Sequence, residues 1–365
     1  MALPSAGGRT TITQVAQLAG VAVSTASKVL NGKGRVNPVL RERVLAVANE
    51  LGYHPHGLAQ ALRRGHSRIL GLQVAYVTLP TSAVIAEGAL DEAYARDYAV
   101  AVCVTRGDPR RERTHLEILA RQQIAALLVL PVSKDPTPYL QLQERGIPIV
   151  FMQRRVPGVA GDLVATDYRD GTMSAVRHLL QQGRRRVALL APATAYGSNA
   201  DRVAGYHAAY AELAVAAPDG LTRLDLDTRT PNETYLATRE LLSCPEPPDA
   251  IIAGSSDVVM PALACLRDLG VAVPQDIAFV GAGDVAWARV AQPPLTMIEI
   301  DGRGIGRQAV EMALERLQPE MREAPPREVF VPPCFTVRAS SVGSNGGATI
   351  RAGVLDVMRA KGPFA

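Results

Sequence analysis

Apolar residues recur at helical spacing three times within the first fifty positions. Ile12, Val15, Ala16 and Ala19 fall at i, i+3, i+4 and i+7, one face of a helix. Thr11 and Gln14 have the spacing of a capping box, and Gly20 can take the left-handed conformation that stops a helix. A second short helix is predicted over residues 23–30, with Val29 and Leu30 inward and Ser24, Thr25, Ser27 and Lys28 polar. Asn37-Pro38 places an N-cap before a proline at the first helical position, so a third helix should run to Leu51 and stop at Gly52. Its stripe is Leu40, Val44, Val47, Ala48 and Leu51. Two short helices joined by a tight turn and closed by a third suggest a helix-turn-helix, whose second helix can enter a DNA major groove.

The pattern then changes twice. HPHGLAQALRRGHS, residues 54–67, is too short to hold a helix alone and reads as a hinge that orders only when packed against something. From Ile69 short apolar strands alternate with amphipathic helices. ILGLQV, AVAVCV, ALLVLP, PIVFM, VALLA, AIIAG and IAFVG are predicted strands, with helices over 171–181, 201–214, 232–242 and 257–269. Such alternation argues for an α/β fold with parallel sheets covered on both faces. The elements divide into two similar halves, broken near residues 160–168, and a cleft between two lobes is a natural small-molecule site. DGRGIGRQAV is predicted to open a helix, with Asp301 near its positive end.

Charge sharpens this division. The net charge of +4 is the sum of +7 in residues 1–68 and −3 in the rest. A small domain that neutralises phosphates, joined to a body with another task, fits that asymmetry, although a solvated basic face would carry the same charge. The four cysteines are scattered, with no CxxC and no histidine cluster, so buried thiols are expected and neither a disulfide framework nor a metal site. MALPSAGGRT has no apolar signal region and no run reaches the length of a membrane span, which points to the cytoplasm.

Residues 11–71 resemble the DNA-binding and hinge segment of the lactose-repressor (LacI/GalR) family of bacterial transcription regulators. The resemblance rests on TITQVAQLAGVAVSTASKVLNGKGRV, RERVLAVANELGYHPHGLAQALRRG and ILGL. It extends more loosely to about Ser340 through DYRDGTMSAVRHLLQQGRRRVALL, DRVAGYHAAY, VPQDIAFVGAGD and PPLTMIEID. It implies a helix-turn-helix domain over 1–53, a hinge helix over 54–67, and a two-lobed periplasmic-binding-protein-like body over 68–340. The tail over 341–365 has no assigned role. It also implies a homodimer on double-stranded, pseudo-palindromic operator DNA; the tail lacks the sustained leucine heptads that would favour a tetramer.

By this resemblance Val23 and Ser24 open the recognition helix, and Thr25, Ser27, Lys28 and Asn31 face phosphates or bases, with Thr11 at the start of the first helix. Lys28 stands where arginine is usual and Ala22 where a capping serine is usual, so operator preference does not transfer from a relative. Ala59 and Leu62 would enter the minor groove, Leu62 as an apolar wedge between central base pairs; packing of Leu62 on the body is the alternative. In the cleft, Arg202 matches an effector-contacting arginine and Ser256 an effector-contacting asparagine. Tyr76 and Gln153 stand where relatives often carry Asp, and Gly283 replaces the first acid of a pair, leaving Asp284. Arg229 lies near a position that is often aromatic. Fewer carboxylates and a retained arginine suit a sugar-acid or phosphate-bearing effector; a solvated Arg229 with a neutral sugar, or no ligand, is the alternative.

Other classes fare worse. DGRGIG lacks the spacing of a dinucleotide loop, GAGD lacks the Lys and Ser/Thr of a P-loop, and no nucleophile or zinc motif appears. No enzyme, catalytic residue, cofactor or metal is therefore expected. A solute-binding protein for transport shares the body but has no use for the basic N-terminal segment, and the fold alone does not separate the two.

Overall fold

The computed structural model describes residues 10–30, 36–53, 67–193, 198–227, 230–283 and 286–343. The chain forms two compact units, Met1–Ser67 and Arg68–Ala365. In the first, α1 (Ile12–Leu18) opens on a complete capping box: the Gln14 amide donates to Thr11 Oγ1 (3.4 Å) and the Thr11 amide to Gln14 Oε1 (2.8 Å). Gly20, at φ +61°, turns the chain into α2 (Val23–Leu30). Asn37 caps α3 (Pro38–Glu50) through the Val39 amide at 2.9 Å, and Gly52 ends it at φ +58°. Val15, Ala16, Ala19, Ala26, Val29, Val44 and Ala48 are buried together, so all three helices contribute to one small core.

At the start of α2 the Ala22 carbonyl accepts from the Thr25 and Ala26 amides, as an N-cap does, but its methyl group cannot accept from the first turn. Ala22→Ser is expected to stabilise α2 by about 1 kcal/mol, slowing amide exchange there roughly fivefold in the full chain. Unchanged exchange would mean that another group already serves the cap.

The body holds two six-stranded sheets. Its elements are β1 (Ile69–Val74), α4 (Pro80–Ala95), β2 (Ala99–Val104), α5 (Pro109–Arg121), β3 (Ala126–Val129), α6 (Thr137–Glu144), β4 (Ile149–Met152) and β5 (Asp162–Thr166). There follow α7 (Tyr168–Gln181), β6 (Val187–Pro192), α8 (Ser198–Glu212), β7 (Thr222–Leu226), α9 (Pro231–Leu242), β8 (Ala250–Ala253), α10 (Ser256–Asp268) and β9 (Ala278–Ala282). The last are β10 (Thr296–Glu299), α11 (Gly302–Glu315), β11 (Glu328–Val331) and β12 (Cys334–Thr336). The first sheet runs β11-β5-β4-β3-β1-β2, all parallel; the second runs β12-β10-β9-β8-β6-β7, parallel except for β12. The seven predicted strands lie within these sheets. Both faces of each sheet are covered: α4 and α11 lie opposite α5 and α6 in the first lobe, and α7 and α8 opposite α9 and α10 in the second.

The division into halves is not sequential. The chain crosses between lobes after β5, near the expected break, but α11 and β11 return to the first lobe and β12 leaves it again. Three adjacent crossovers therefore form the hinge, at Asp167, at Ile300–Asp301 and at Pro332–Pro333. Asp167 and Asp301 cap α7 and α11 just beyond the first two, each accepting from an amide three residues on. Helix α4 lies so close to α11 that a Cβ on Gly88 would stand 2.2 Å from the Arg303 carbonyl oxygen. The end of the second lobe is held by a buried polar cluster. His178 Nε2 and Thr296 Oγ1 meet Ser341 Oγ at 2.8 and 2.6 Å, placing Ser341 inside the body.

Candidate nucleic-acid interface and effector site

Helical spacing sets Val23, Ser24, Ser27 and Lys28 on one face of α2, opposite the buried Ala26 and Val29. Val23 is 44% exposed, and Ser24 and Lys28 are exposed. An exposed valine beside a hydroxyl and an ammonium offers a methyl contact, a hydrogen bond and a charge within one helix turn and a half, the set needed to read a base-pair edge. Thr25 sits at the border of the buried face and is half-buried. Thr11 is exposed, with its hydroxyl engaged in the cap of α1. Asn31, Ala59 and Leu62 lie outside the described residues.

In the body the structure brings some sequence-predicted residues together and leaves others apart. Arg202, on α8, is only 5% exposed, in a narrow space that all three crossovers line through Thr166, Tyr168, Ile300 and Pro333. Its guanidinium carbon lies 4.0 Å from the centre of the Tyr168 ring, and Nη1 donates to Asn199 Oδ1 at 3.1 Å. Asn199 is itself fixed, donating to the carbonyls of Pro192 and Leu224, both at 2.9 Å. Burial pushes the Arg202 pKa down, while Tyr168, Asp257 and Asp201 pull it back.

Gln153 reaches this site indirectly. Held at φ +63°, it spends its amide on Thr166: Nε2 donates to Oγ1, and Oε1 accepts from the Thr166 amide, both at 3.0 Å. Ser256 begins α10 against Gly283, where φ is +109° and a Cβ would stand 2.9 Å from Ser256 Cβ. An aspartate at 283 would be strained, so its absence agrees with the backbone. Tyr76 donates to the Arg106 carbonyl at 2.9 Å. Arg229 and Asp284 lie outside the described residues. Sequence reasoning missed Tyr168 and Asn199. Tyr168 lies in the quoted DYRDG, but nothing local signals that it stacks on an arginine over thirty residues away.

A family model for bacterial regulatory proteins of the lacI family matches residues 11–56, and one for the periplasmic binding protein-like domain matches residues 176–341. The HTH-type transcriptional regulator KdgR of Bacillus subtilis (strain 168) is 30% identical over 316 residues, covering 85% of this chain and 92% of that protein. The chain belongs to the LacI family. Among solved structures, a complex of the transcriptional regulator CelR with cellobiose is 28% identical with a TM-score of 0.67, covering 91% of this chain and 100% of that one. The Lac repressor dimer bound to operator and the anti-inducer ONPF shares the fold, with a TM-score of 0.77 at 23% identity over 92% of this chain and 100% of that one. As a LacI-family member the chain is a ligand-responsive, DNA-binding transcriptional regulator. Its relatives are regulators rather than enzymes, and the transport reading is not favoured. Among the described residues no helix is long and apolar enough to cross a membrane.

Proposed function

We propose that this regulator is a cytoplasmic, non-catalytic repressor that binds a pseudo-palindromic operator as a homodimer and responds to a sugar or sugar acid in the interlobe cleft. The observation that carries the reading is the join, in one chain, of an α2 face with Val23, Ser24 and Lys28 exposed and Ser27 half-buried to a body whose hinge holds a buried arginine. In this reading residues 1–53 read DNA, with Thr11, Thr25 and Asn31 supporting the α2 face. Residues 54–67 form a hinge whose Ala59 and Leu62 enter the minor groove, residues 68–340 sense the effector, and the tail after 341 has no assigned part. Arg202 and Ser256 contact the effector together with Arg229 and Asp284; Tyr76 and Gln153 shape the rim. The CelR–cellobiose complex supports a saccharide-like ligand in this fold, and the Lac repressor dimer supports a two-fold assembly.

The mechanism is linkage. A ligand that prefers one arrangement of the three crossovers shifts the population of that arrangement, and DNA that prefers the other opposes it by the same factor. Selection of bound sequences from random duplex DNA by the full-length protein, at two salt concentrations, tests the reading. An enriched two-fold palindrome is expected. Binding that falls steeply with salt and enriches no palindrome would leave only a phosphate-gripping N-terminus and overturn the sequence-reading role.

A further inference from the structure

Gly171 lies in the first turn of α7, buried, with its amide donating to the Asp167 carbonyl at 3.1 Å. No positive φ calls for glycine there, and alanine would be the better helix former, since glycine gives up more chain entropy on folding. Space decides the choice instead. A Cβ on Gly171 would stand 2.8 Å from Pro333 Cγ and 2.9 Å from Ile298 Cγ2. Pro333 ends the third crossover, Ile298 lies on β10 just before the second, and α7 follows the first. The elements that join the lobes thus meet at one residue, with less than a methyl group between them.

The first turn of α7 has no room to retreat. Arg169 lies two residues before Gly171, about 200° round the helix, and its carbonyl oxygen would stand 2.1 Å from a Cβ on Gly205 of α8. The Tyr168 ring is stacked on Arg202, also on α8. Ile298 is held on both sides, by Ala282 of β9 and Phe335 of β12. Pro333 is the least restrained of the set, because it lies between β11 and β12, outside both ladders. What ties its crossover to the first is the Asp167 amide, which donates to the Val331 carbonyl at 3.0 Å.

We propose that Gly171 is the bearing of the interlobe joint: its missing side chain lets the third crossover close against α7, and this contact favours the lobe arrangement of the structure over the alternative one. A methyl group at 171 would push Pro333 outward, stretch the Asp167–Val331 bond and shift the population away from that arrangement. The proposal rests on the linkage reading above and names the residue on which the motion turns. Gly171 is a positioning residue, acting through the crossover rather than on a ligand.

The test uses the full chain and the variants Gly171→Ala, Pro333→Ala and the two combined. Val176→Ala, further along α7 in the core of the second lobe, serves as the control for plain loss of packing. One readout is amide exchange at Asp167 without DNA. The other is affinity for the selected operator at one fixed salt concentration. Gly171→Ala is expected to speed exchange at Asp167 roughly tenfold and to change operator affinity about fivefold or more, with binding to random duplex DNA within about twofold. Pro333→Ala removes the Cγ that the added methyl would meet and should speed the same exchange about fivefold. In the combined variant the methyl fills the space that Cγ leaves, so exchange should return to within about threefold of wild type.

Val176→Ala should lower the unfolding temperature and leave both readouts at wild-type values. If Gly171→Ala behaves in the same way, glycine at this position serves packing alone and the proposal is overturned. A combined variant no closer to wild type than Gly171→Ala overturns it too, because the methyl would then act elsewhere than on Pro333. Should Gly171→Ala fail to fold, Pro333→Ala alone reads the same contact, and unchanged exchange at Asp167 is the overturning result. Exchange needs no operator. Faster exchange in Gly171→Ala, with no operator binding even by the wild-type chain, therefore supports the joint and counts against the DNA-binding reading instead.

Discussion

The Leu62→Ala chain is expected to bind its selected operator roughly 100-fold more weakly while its affinity for random duplex DNA changes by less than about twofold. The leucine would be inserted into the minor groove once per subunit, so a two-fold complex loses two wedges. Removing most of a buried leucine side chain costs about 1.5 kcal/mol each, or about 3 kcal/mol per operator, before any loss of the contacts that the bent DNA permits. Non-specific binding depends instead on phosphate neutralisation by the basic N-terminal region, which this substitution leaves unchanged. Leu62→Met, which keeps an apolar wedge, should retain most of the specific affinity. Equal losses on operator and random DNA would remove the wedge role and return Leu62 to packing. Competition titration at one fixed salt concentration reads all three variants.

Much of the fold was legible because its signals are local. The capping box at Thr11 and Gln14, the left-handed Gly20 and Gly52 and the Asn37-Pro38 start are each set by a few neighbouring residues, and all appear in the structure. The seven strands read from the sequence are the more continuously apolar ones, the edge strand β2 among them. Five escaped. β7 (TRLDL) is polar and lies at a sheet edge, and β11 (EVFV) and β12 (CFT) are short edge strands. β5 (DLVAT) and β10 (TMIE) lie inside the sheets but are short and interrupted by polar residues. The return of α11 and β11 to the first lobe was invisible for another reason. Sequence order divides the chain once, whereas the hinge depends on which sheet each later strand joins, a long-range choice.

The effector site was legible only in part. DRVAGYHAAY pointed to Arg202, and the structure buries that side chain at the hinge. Its surroundings depend on residues far apart in the chain, Tyr168 from one crossover and Pro333 from another. Gln153 shows the limit of reading a position by analogy. The residue lies near the site, but its amide is spent on Thr166, so its polar atoms shape the wall. Gly283 shows the reverse case. A departure seen in the sequence acquires a physical reason in a φ of +109° and a close approach to Ser256.

Asp162→Ala is expected to destabilise the body by about 3–5 kcal/mol, the cost of leaving a buried charge unpaired. The Asp162 side chain is fully buried and Arg316 nearly so, at 9% exposure. Arg316 Nε and Nη2 reach the two carboxylate oxygens at 2.9 and 2.6 Å, and its other donors go to the carbonyls of Met321, Ala324 and Pro325. Asp162 also accepts from the Arg327 amide at 2.8 Å, just before β11. The pair thus joins the end of α11, the start of β5 and the strand from which the third crossover leaves. Its pH dependence has a definite sign. Burial alone would raise the Asp162 pKa, but the Arg316 and Arg327 hydrogen bonds and charges outweigh it and hold the carboxyl below its usual range. This contribution is therefore full above the unfolded value of about 3.9 and is lost as pH falls through the lower folded value. Asp162→Asn should remove that acid-side decline from the unfolding curve. Asp162→Leu combined with Arg316→Met should recover much of the stability that Asp162→Ala loses, because neither charge then remains buried. If the double variant is no more stable than Asp162→Ala, the carbonyl contacts of Arg316, rather than its charge pairing, hold this corner together.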